Sequence, residues 1–392
     1  MGISIGLVGL GSFGRAFADL FMSHPLVDRI GLCDREPERM TPFANKESWQ
    51  AKFNPRDVYT SLDDICRSDL DALVIITQPW LHAPQCIQAL ESGKSVYSAV
   101  PIISIPDDDE ILDWCDKLVG AVQRTGKHYM LGETTYYRPQ AMYCRRQARA
   151  GAFGDFVYSE GEYYHDVDAK TNLREVAKRR HASQAGQEWL ALREQYKARG
   201  VRGGPMHYPT HSTAGPICVT GSHAVKVVCW GYANRTQDPY FVEEGAVFSN
   251  ETALFQMSDG SAMRIIEARE IGHTEREIFR IYGTQGSFEN DTWVDKERAT
   301  PLTVAEMRDP LPPEVVEAFQ AASHTSDFYG GHGGSHAYLA HEFVDAVAHD
   351  RVPAINVWES VRYMAAGVAA HQSALAGGEV VDVPDWGDAP KK

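Results

Sequence analysis

The chain has 392 residues, and 38 Lys and Arg against 53 Asp and Glu give it a formal net charge of −15. Its composition, 43% hydrophobic and 23% charged, is typical of soluble globular proteins, and its length indicates two domains of enzyme size. The acidic balance disfavours nucleic acid and anionic membrane surfaces as partners, because both bind through clustered basic faces.

Short runs of β-branched residues alternate with helical stretches in the first third of the chain. Strands are predicted at residues 3–8, 29–33, 72–76 and 127–131, and helices at 15–23, 80–92 and 107–124. The strands are apolar on both faces, which is typical of a parallel sheet covered by helices on each side. This order predicts a doubly wound α/β domain of the Rossmann type.

Beyond Gly132, longer strands with alternating faces predominate. They are predicted at residues 155–164, 224–232, 245–257, 261–270 and 277–281, and helices follow at 335–349 and 358–375. We therefore predict a Rossmann domain over residues 1–132 and an α+β domain over residues 133–392 with a large, mostly antiparallel open sheet. Because such a sheet leaves one face to be covered, we expect a homo-oligomer, a dimer or tetramer, formed through it.

Cysteine usage and the termini favour a cytoplasmic protein. The seven cysteines are scattered and form neither a CxxC pair nor a Cys/His ligand box, which is typical of a reducing compartment. The N-terminus lacks a basic leader, and Gly6 stands where a myristoylation signal requires Ser or Thr. No apolar run approaches the roughly 20 residues that a membrane span needs.

Gly9, Gly11 and Gly14 form the pattern GxGxxG between the first strand and the first helix. In this context the first glycine permits a tight turn, the second lets the backbone approach a pyrophosphate, and the third lets helix and strand pack closely. Helix N–H groups then face the phosphates. The pattern predicts a dinucleotide-binding turn that includes Ser12 and Phe13.

Asp34 ends the second strand, 20 residues after Gly14. A carboxylate at this position accepts hydrogen bonds from the ribose 2′-OH of NAD and repels the 2′-phosphate of NADP. The neighbouring Arg35 would instead suit a 2′-phosphate. We expect both residues to contact the cofactor, with NAD preferred over NADP.

The N-terminal domain resembles the Gfo/Idh/MocA family of NAD(P)-dependent oxidoreductases, most of which act on sugars. The resemblance rests on Thr77-Gln78-Pro79-Trp80-Leu81-His82 and on Ala89-Leu90-Glu91-Ser92-Gly93-Lys94-Ser95-Val96. It implies that Thr77, Pro79 and His82 line the nicotinamide ribose. The family usually has Glu-Lys-Pro after the fifth strand, with the Lys in the catalytic role, whereas this chain has Ala99-Val100-Pro101. Pro101 is expected to shape the backbone beside the nicotinamide, but the Lys-centred mechanism does not carry over.

The middle of the chain is similar to the subgroup that contains glycoside hydrolase family 109. The similar segments are Gly161-Glu162-Tyr163-Tyr164-His165-Asp166 and Tyr208-Pro209-Thr210-His211. Members of that subgroup are NAD-dependent glycosidases, thought to oxidise the sugar at C3, eliminate the C1 substituent, add water and return the hydride. The resemblance implies catalytic roles for Glu133, Tyr163, Tyr208 and His211. The residues that follow Glu133 depart from the glycosidases, so hydride transfer follows from the resemblance more directly than hydrolysis does.

The chemistry of alcohol oxidation points to the same residues, because the hydroxyl proton needs a base while the hydride leaves. Without the Lys, Tyr208 and His211 are the candidates, and their spacing at a helix start places them on one face. The reference pKa is about 10 for Tyr and about 6.5 for His. His211 is therefore the expected acid/base, and a capping or structural histidine is the alternative.

Four further residues are candidates for binding a sugar. His165 shares a strand face with Tyr163, and Asp166 would bind a hydroxyl, orient a histidine or cap a turn. Arg138 follows two tyrosines and would suit a sugar ring or an acidic substituent, with packing at a domain junction as the alternative. His332 lies in the glycine-rich loop at residues 330–336, where backbone can approach a ligand closely.

Other conspicuous side chains are given structural roles. His332 and His336 have helical spacing, but no third ligand stands nearby in the sequence, so no metal site is predicted. The short basic run at residues 178–180 is expected to be solvated. Trp189, Trp230, Trp293 and Trp358 are expected to pack in a core or an interface.

Three functions remain open at this point. The favoured one is an NAD-dependent oxidoreductase that transfers a hydride between a secondary hydroxyl of a sugar or glycoside, at C3 of a pyranose, and the nicotinamide. The first alternative is a redox-neutral, NAD-dependent glycosidase, and the second is a non-catalytic NAD-binding sensor, since a lost Lys can mean lost catalysis. An uncharged sugar is expected unless Arg138 and residues 178–180 form a basic pocket.

Overall fold

A computed structural model of the protein describes residues 2–323 and 328–390. The strands are β1 Ile3–Val8, β2 Val27–Cys33, β3 Phe53–Tyr59, β4 Ala72–Ile75, β5 Ser95–Ser98, β6 Tyr129–Leu131, β7 Phe156–His165, β8 Ala224–Ala233, β9 Phe248–Met257, β10 Ala262–Ala268, β11 Glu275–Gly283, β12 Gly286–Glu289, β13 Thr292–Asp295, β14 Ala299–Pro301 and β15 Val381–Asp382. The helices are α1 Ser12–Ser23, α2 Thr41–Ala44, α3 Leu62–Cys66, α4 His82–Glu91, α5 Asp108–Thr125, α6 Pro139–Arg149, α7 Leu173–His181, α8 Gln184–Ala198, α9 Thr210–Thr220, α10 Pro239–Glu244, α11 Val304–Met307, α12 Pro313–Ala322, α13 Gly331–Ala348 and α14 Val357–Leu375.

The first sheet has the order β3-β2-β1-β4-β5-β6, and all of its strand pairs are parallel. Strands β4, β5 and β6 are buried along their whole length, as expected for a sheet with helices on both faces. This confirms the predicted doubly wound domain. The strand order reverses between β1 and β4, and ligands of such sheets bind at the carboxyl ends of the strands on either side of that point.

The second sheet follows along the chain and has the order β14-β13-β12-β11-β7-β10-β9-β8-β15. It is mostly antiparallel, as predicted, with β7 and β10 as its parallel pair. Helix α9 packs against the inner face of β7, where a Cβ on Gly161 would overlap the carbonyl oxygen of Ser212. A glycine is needed there because the backbones of helix and strand come this close, and the contact brings His211 next to the strand that carries Tyr163.

Several boundaries differ from the predicted ones for local reasons. Strand β9 begins at Phe248, three residues later than expected, because Asp238 caps a short helix and Gly245 ends it in the left-handed conformation. In α13 the backbone of His332 to Gly334 is left-handed, so the regular helix begins at Ser335, where it was predicted. Strand β3 was not predicted, because its sequence contains Pro55 and three polar residues.

Helices α7 and α8, between β7 and α9, were also not predicted, because few of their side chains are buried and their apolar periodicity is weak. The seven cysteines are free thiols. In the described part of the chain, no helix has both the length and the apolar character that crossing a membrane requires.

Candidate functional site

A cavity of about 1260 Å³ runs from the carboxyl ends of the first sheet to the inner face of the second. Its first half is lined by the glycine-rich turn and Asp34, and its second half by Tyr163, Tyr208 and His211. The cavity therefore joins the predicted cofactor turn to three of the four predicted catalytic residues. The fourth, Glu133, is fully buried behind His211.

The turn after β1 fits a pyrophosphate. Gly9 has φ +91° and a Cβ there would overlap the carbonyl oxygen of Ile76, while a Cβ on Gly14 would overlap the carbonyl oxygen of Gly9. Gly11 differs, because nothing lies within 4 Å of its Cβ position and the residue lines the cavity. Gly9 thus permits the tight turn, Gly14 permits close packing, and Gly11 leaves open space at the start of α1, as the motif predicts. Ser12 and Phe13 line the same end.

Asp34 is held rigidly at the end of β2. Its Oδ2 accepts the N–H of Leu10 at 2.8 Å and its Oδ1 accepts the N–H of Glu36 at 2.9 Å. Arg35 also lines the cavity, but its guanidinium makes a two-pronged ion pair with Glu188 of α8 at 3.0 and 2.8 Å. The group that would receive a 2′-phosphate is therefore already paired with a carboxylate.

Thr77, Pro79 and His82 line the middle of the cavity, as the resemblance implies, together with Val100. His82 is buried, and its ring nitrogens face the carbonyl oxygens of Pro101 at 2.8 Å and Thr77 at 3.4 Å. Burial lowers the pKa of His82 to about 4, so the ring is neutral, and its single N–H donates to the nearer carbonyl oxygen, that of Pro101. The bond between Val100 and Pro101 is cis.

His211 and Glu133 form the central ion pair of the site. Nδ1 of His211 lies 2.9 Å from Oε1 of Glu133 and 3.7 Å from Oε1 of Glu277. Burial alone would lower the pKa of His211, but the charges of the two carboxylates outweigh it and raise the pKa to about 9. At neutral pH the ring is therefore a cation that can donate a proton, which is the acid form of the expected acid/base.

Glu277 on β11 belongs to the site but was not named by the sequence analysis. Its carboxylate accepts the hydroxyl of Thr135 at 2.6 Å and a guanidinium N–H of Arg138 at 2.5 Å. Arg138 therefore does not line the cavity, contrary to its predicted contact with substrate, and acts on His211 through Glu277. The sequence signal available for Glu277 was the alternation of side chains along β11, a strand with one end toward the first domain. That signal is ambiguous, because charged residues also occupy the outer face of β11.

Tyr163 and His165 form a second pair on β7. Nε2 of His165 faces the carbonyl oxygen of Thr171 at 3.0 Å and must carry the proton, so Nδ1 accepts the phenol O–H of Tyr163 at 2.7 Å. Burial raises the pKa of Tyr163 well above its usual value and lowers that of His165. The guanidinium of Arg269 lies 4.7 Å from the ring centre of Tyr163.

Tyr208 precedes α9 and its ring lies 5.7 Å from that of His211, so the two converge as predicted. Its phenol O–H donates to the carbonyl oxygen of Val100 at 3.3 Å, at the position where the family has its Lys. Burial raises the pKa of Tyr208 to about 12, so it stays protonated near neutral pH.

Two other predicted substrate contacts have different outcomes. Asp166 does not line the cavity, and its carboxylate accepts the backbone N–H groups of Asp168 and Ile271, which is the turn-capping alternative. His332 does line the cavity, and its Nδ1 lies 2.9 Å from Nε2 of His336. Burial lowers the pKa of both rings.

Helices α7 and α8 cover the cavity from the second domain. Trp189 of α8 stacks on Trp80 at 4.9 Å between ring centres, and both rings line the cavity. From its residue type, Trp189 was expected to pack in a core or an interface. It also forms part of the cavity wall. Arg179 and Arg180 of α7 also line the cavity, and their side chains are exposed, as expected for the basic run.

Two groups of histidine and carboxylate have donor atoms close enough to share an ion: Glu133, His211 and Glu277, and separately Asp108, His207 and His371. In the first group, Thr135 and Arg138 already donate hydrogen bonds to the carboxylates, so their charge is offset by protein groups. The absence of a metal stays a prediction.

Known proteins resemble this chain in both halves. Residues 3–133 match the family model described as "Oxidoreductase family, NAD-binding Rossmann fold", and residues 211–383 match "Oxidoreductase family, C-terminal alpha/beta domain". A glycosyl hydrolase family 109 protein of Streptomyces niveus is 26% identical over 98% of this chain and 77% of its own length. An alpha-N-acetylgalactosaminidase of Tannerella forsythia is 24% identical over 91% of this chain and 80% of its own length. Scyllo-inositol dehydrogenase from Lactobacillus casei, solved with NAD(H) and scyllo-inositol, has the same fold, with a TM-score of 0.66, 18% identity and coverage of 97% of this chain and 99% of that one.

Proposed function

Because the chain belongs to the Gfo/Idh/MocA family of oxidoreductases, we propose that it transfers a hydride between a secondary hydroxyl carbon of a pyranose, C3, and the nicotinamide of NAD. The observation that carries the proposal is the single cavity that joins the glycine-rich turn to the cluster of Tyr163, Tyr208 and His211. Function is argued from this site, since the fold alone hosts many activities.

The choice of NAD over NADP rests on Asp34 and Arg35. The Asp34 carboxylate keeps lone pairs for a ribose hydroxyl while two backbone N–H groups hold it in place. A 2′-phosphate would meet this negative charge and would also have to displace Glu188 from Arg35. The repulsion by Asp34 and the loss of the ion pair between Arg35 and Glu188 would weaken the binding of NADP and not of NAD, so a preference for NAD is expected.

The residues of the site divide the work of the reaction. NAD supplies the hydride acceptor when it is bound. The phenol of Tyr163 takes the hydroxyl proton and passes its own to Nδ1 of neutral His165, so no phenolate has to form alone in a buried site. The protonated ring of His211 donates a hydrogen bond to the oxygen that loses its proton, and Glu133 keeps that ring charged.

The test is NADH formation from NAD with a panel of pyranosides, each also supplied with deuterium at C3. The proposal predicts a primary isotope effect, a loss of kcat of roughly 100-fold in Tyr163→Phe, and an NADH affinity that stays within about twofold. Tyr158→Phe is the matched control, because Tyr158 lies on the same strand but does not line the cavity. Protein that binds NADH yet stays silent over the whole panel, with no isotope-sensitive step, points instead to the sensor.

A redox-neutral glycosidase is the second candidate, and the charge state of His211 favours it specifically. Elimination at C1 needs an acid for the departing oxygen, and the pKa of about 9 keeps His211 protonated at neutral pH. The names of the relatives from Streptomyces niveus and Tannerella forsythia point the same way. Aryl glycosides should then release aglycone without net NADH and exchange the C2 hydrogen with deuterated water. Retention of that hydrogen during aglycone release contradicts this candidate.

A further inference from the structure

The substrate half of the cavity contains two guanidinium groups with no assigned partner. Arg179 and Arg180 lie in the last turn of α7 with exposed side chains, and both line the cavity that Tyr208 and Tyr240 also line. Neither side chain has an ion pair or a hydrogen bond to another described residue, and the structure describes every residue of the cavity wall. A helix C-terminus attracts cations, but that explains their presence at the end of α7 and not their position in the cavity.

The other charges of this half are already neutralised. His211 is paired with Glu133, and Arg269 with Glu267 at 2.7 Å. Glu244 lines the cavity next to the end of α7, where its carboxylate is 3.5 Å from His181 and 2.9 Å from Arg193. An excess of positive charge therefore remains at α7, in a protein whose net charge is −15.

Arg180 lines the same cavity as Tyr208, His82 and Tyr240, and its charge reaches all three side chains. Burial dominates the pKa of Tyr208, His82 and Tyr240, and the charge of Arg180 lowers each of the three pKa values in addition. The pyrophosphate end of the cavity lies at Gly11 and the start of α1, and the adenosine end lies at Asp34. The charge of Arg180 is thus felt by residues that line the substrate half of the cavity.

We propose that Arg180, assisted by Arg179, forms an anion subsite and that the substrate is a sugar with a negatively charged substituent, a carboxylate, sulfate or phosphate. The inference rests on the proposed sugar chemistry of the same cavity and extends it to substrate class. A guanidinium offers two parallel N–H donors to such a group, and charge-assisted hydrogen bonds are about twice as strong as neutral ones. The uncharged sugar expected from composition gives way to an anionic one.

The test is calorimetric titration of the NADH-saturated protein with matched neutral and anionic sugars: galactose against galacturonate, glucose against glucuronate, and galactose against galactose sulfate. At least one anionic member should bind roughly tenfold more tightly than its neutral partner, and salt should weaken that preference. Arg180→Gln should abolish the preference and leave the affinity for the neutral sugar within about twofold. Lys178→Gln is the matched control, because Lys178 lies on the same helix outside the cavity.

Two results overturn the proposal. One is wild-type protein that binds no anionic sugar better than its neutral partner. The other is an Arg180→Gln protein that keeps the preference but binds NADH more weakly, which assigns the guanidinium to the cofactor pyrophosphate. The titration needs no turnover, so a failure of the proposed hydride transfer is recorded separately, in the isotope experiment.

Discussion

Two glycines in the turn after β1 have different roles: Gly11 leaves space for the cofactor, and Gly14 is needed for packing in the fold. Gly11 has free space at its Cβ position and an ordinary φ of −66°, so alanine fits the fold and intrudes only on the space for the pyrophosphate. Gly14 has no such space, because a Cβ would overlap the carbonyl oxygen of Gly9. The same substitution at two positions of one motif should therefore have opposite consequences.

We predict that Gly11→Ala weakens NADH binding at least tenfold with little change in Tm, while Gly14→Ala lowers the Tm by roughly 5 °C or more. Fluorescence titration of NADH and thermal unfolding measured on the same samples test both statements. Each variant is the control of the other. Equal loss of stability in the two variants contradicts the assignment of Gly11 to the cofactor.

A second prediction at this scale concerns the charge of His211. If Glu133 and Glu277 hold the proton on the ring, kcat/KM is high below pH 9 and falls as pH rises through the raised pKa of about 9. Glu133→Gln removes one of the two charges, so the falling limb should move to lower pH by at least one unit. The pH dependence of kcat/KM measures it.

Glu36→Gln is the control for that shift, because Glu36 also lines the cavity but lies at its cofactor end. A limb that stays near pH 9 in Glu133→Gln contradicts the ion pair as the source of the raised pKa. The position of the limb is informative even where the rate is low, since a merely structural role of Glu133 would lower the rate and leave the limb in place.

The sequence predicted well which side chains enter the site. It predicted less well what each side chain does there. Tyr163, Tyr208 and His211 converge as expected, because strand alternation and helix spacing determine which face a side chain occupies. The raised pKa of His211 was not predicted, since it depends on Glu133 and also on Glu277, which lies on a different strand. A pKa is set by neighbours in space, and spacing along the chain does not reveal them.

At the scale of elements, the pair α7 and α8 accounts for most of what the sequence analysis missed. The two helices are polar, so their hydrophobic periodicity is weak, and they cover a ligand cavity more than a core. Trp189, Glu188 and Arg180 enter the site only through them. Elements that bury few apolar side chains leave little pattern in a sequence to detect.

We predict that α8 helps to retain the cofactor through the stacked pair of Trp189 and Trp80. Trp189→Ala should raise the dissociation rate of NADH roughly tenfold, because stacking and the covering of the cavity are lost together. Stopped-flow fluorescence measures this rate. Leu192→Ala, on the same helix but outside the cavity, is the matched control. An NADH dissociation rate that is equal in the wild type and in Trp189→Ala contradicts a covering role for α8.

In the molecule as a whole, the two sheets follow one another along the chain, but C-terminal segments pack back against the first domain. The two sheets separate between β6 and β7, near the predicted boundary at Gly132. The C-terminal helices nevertheless return to the first domain: Phe343 of α13 packs on Phe21 of α1, and the N–H of Leu131 donates to the carbonyl oxygen of Ile355 at 3.0 Å. Periodicity identified α13 and α14 as helices, but it carries no information on which distant element each would cover.

The outer face of the second sheet bears on assembly, because it combines a central charge cluster with an apolar edge. Glu162 is nearly inaccessible there and accepts hydrogen bonds from Arg264, Arg276 and Arg280. On the neighbouring strands β8 and β9, three large apolar side chains remain exposed, namely Trp230 at 60%, Tyr232 at 44% and Leu254 at 47%. Exposed apolar side chains clustered on one face are typical of an interface between protein surfaces.

We predict that the protein forms a homo-oligomer through this face and that Leu254→Glu weakens it, because the interface would have to bury an unpaired charge. Light scattering during size-exclusion chromatography should give a dimer or tetramer for the wild type and smaller species for the variant at the same concentration. Val304→Glu is the matched control, because Val304 is equally exposed at 48% but lies on α11, which contacts α6. A wild-type protein that runs as a monomer, or a Val304→Glu protein that dissociates equally, contradicts the assignment of the interface to the outer face of the sheet.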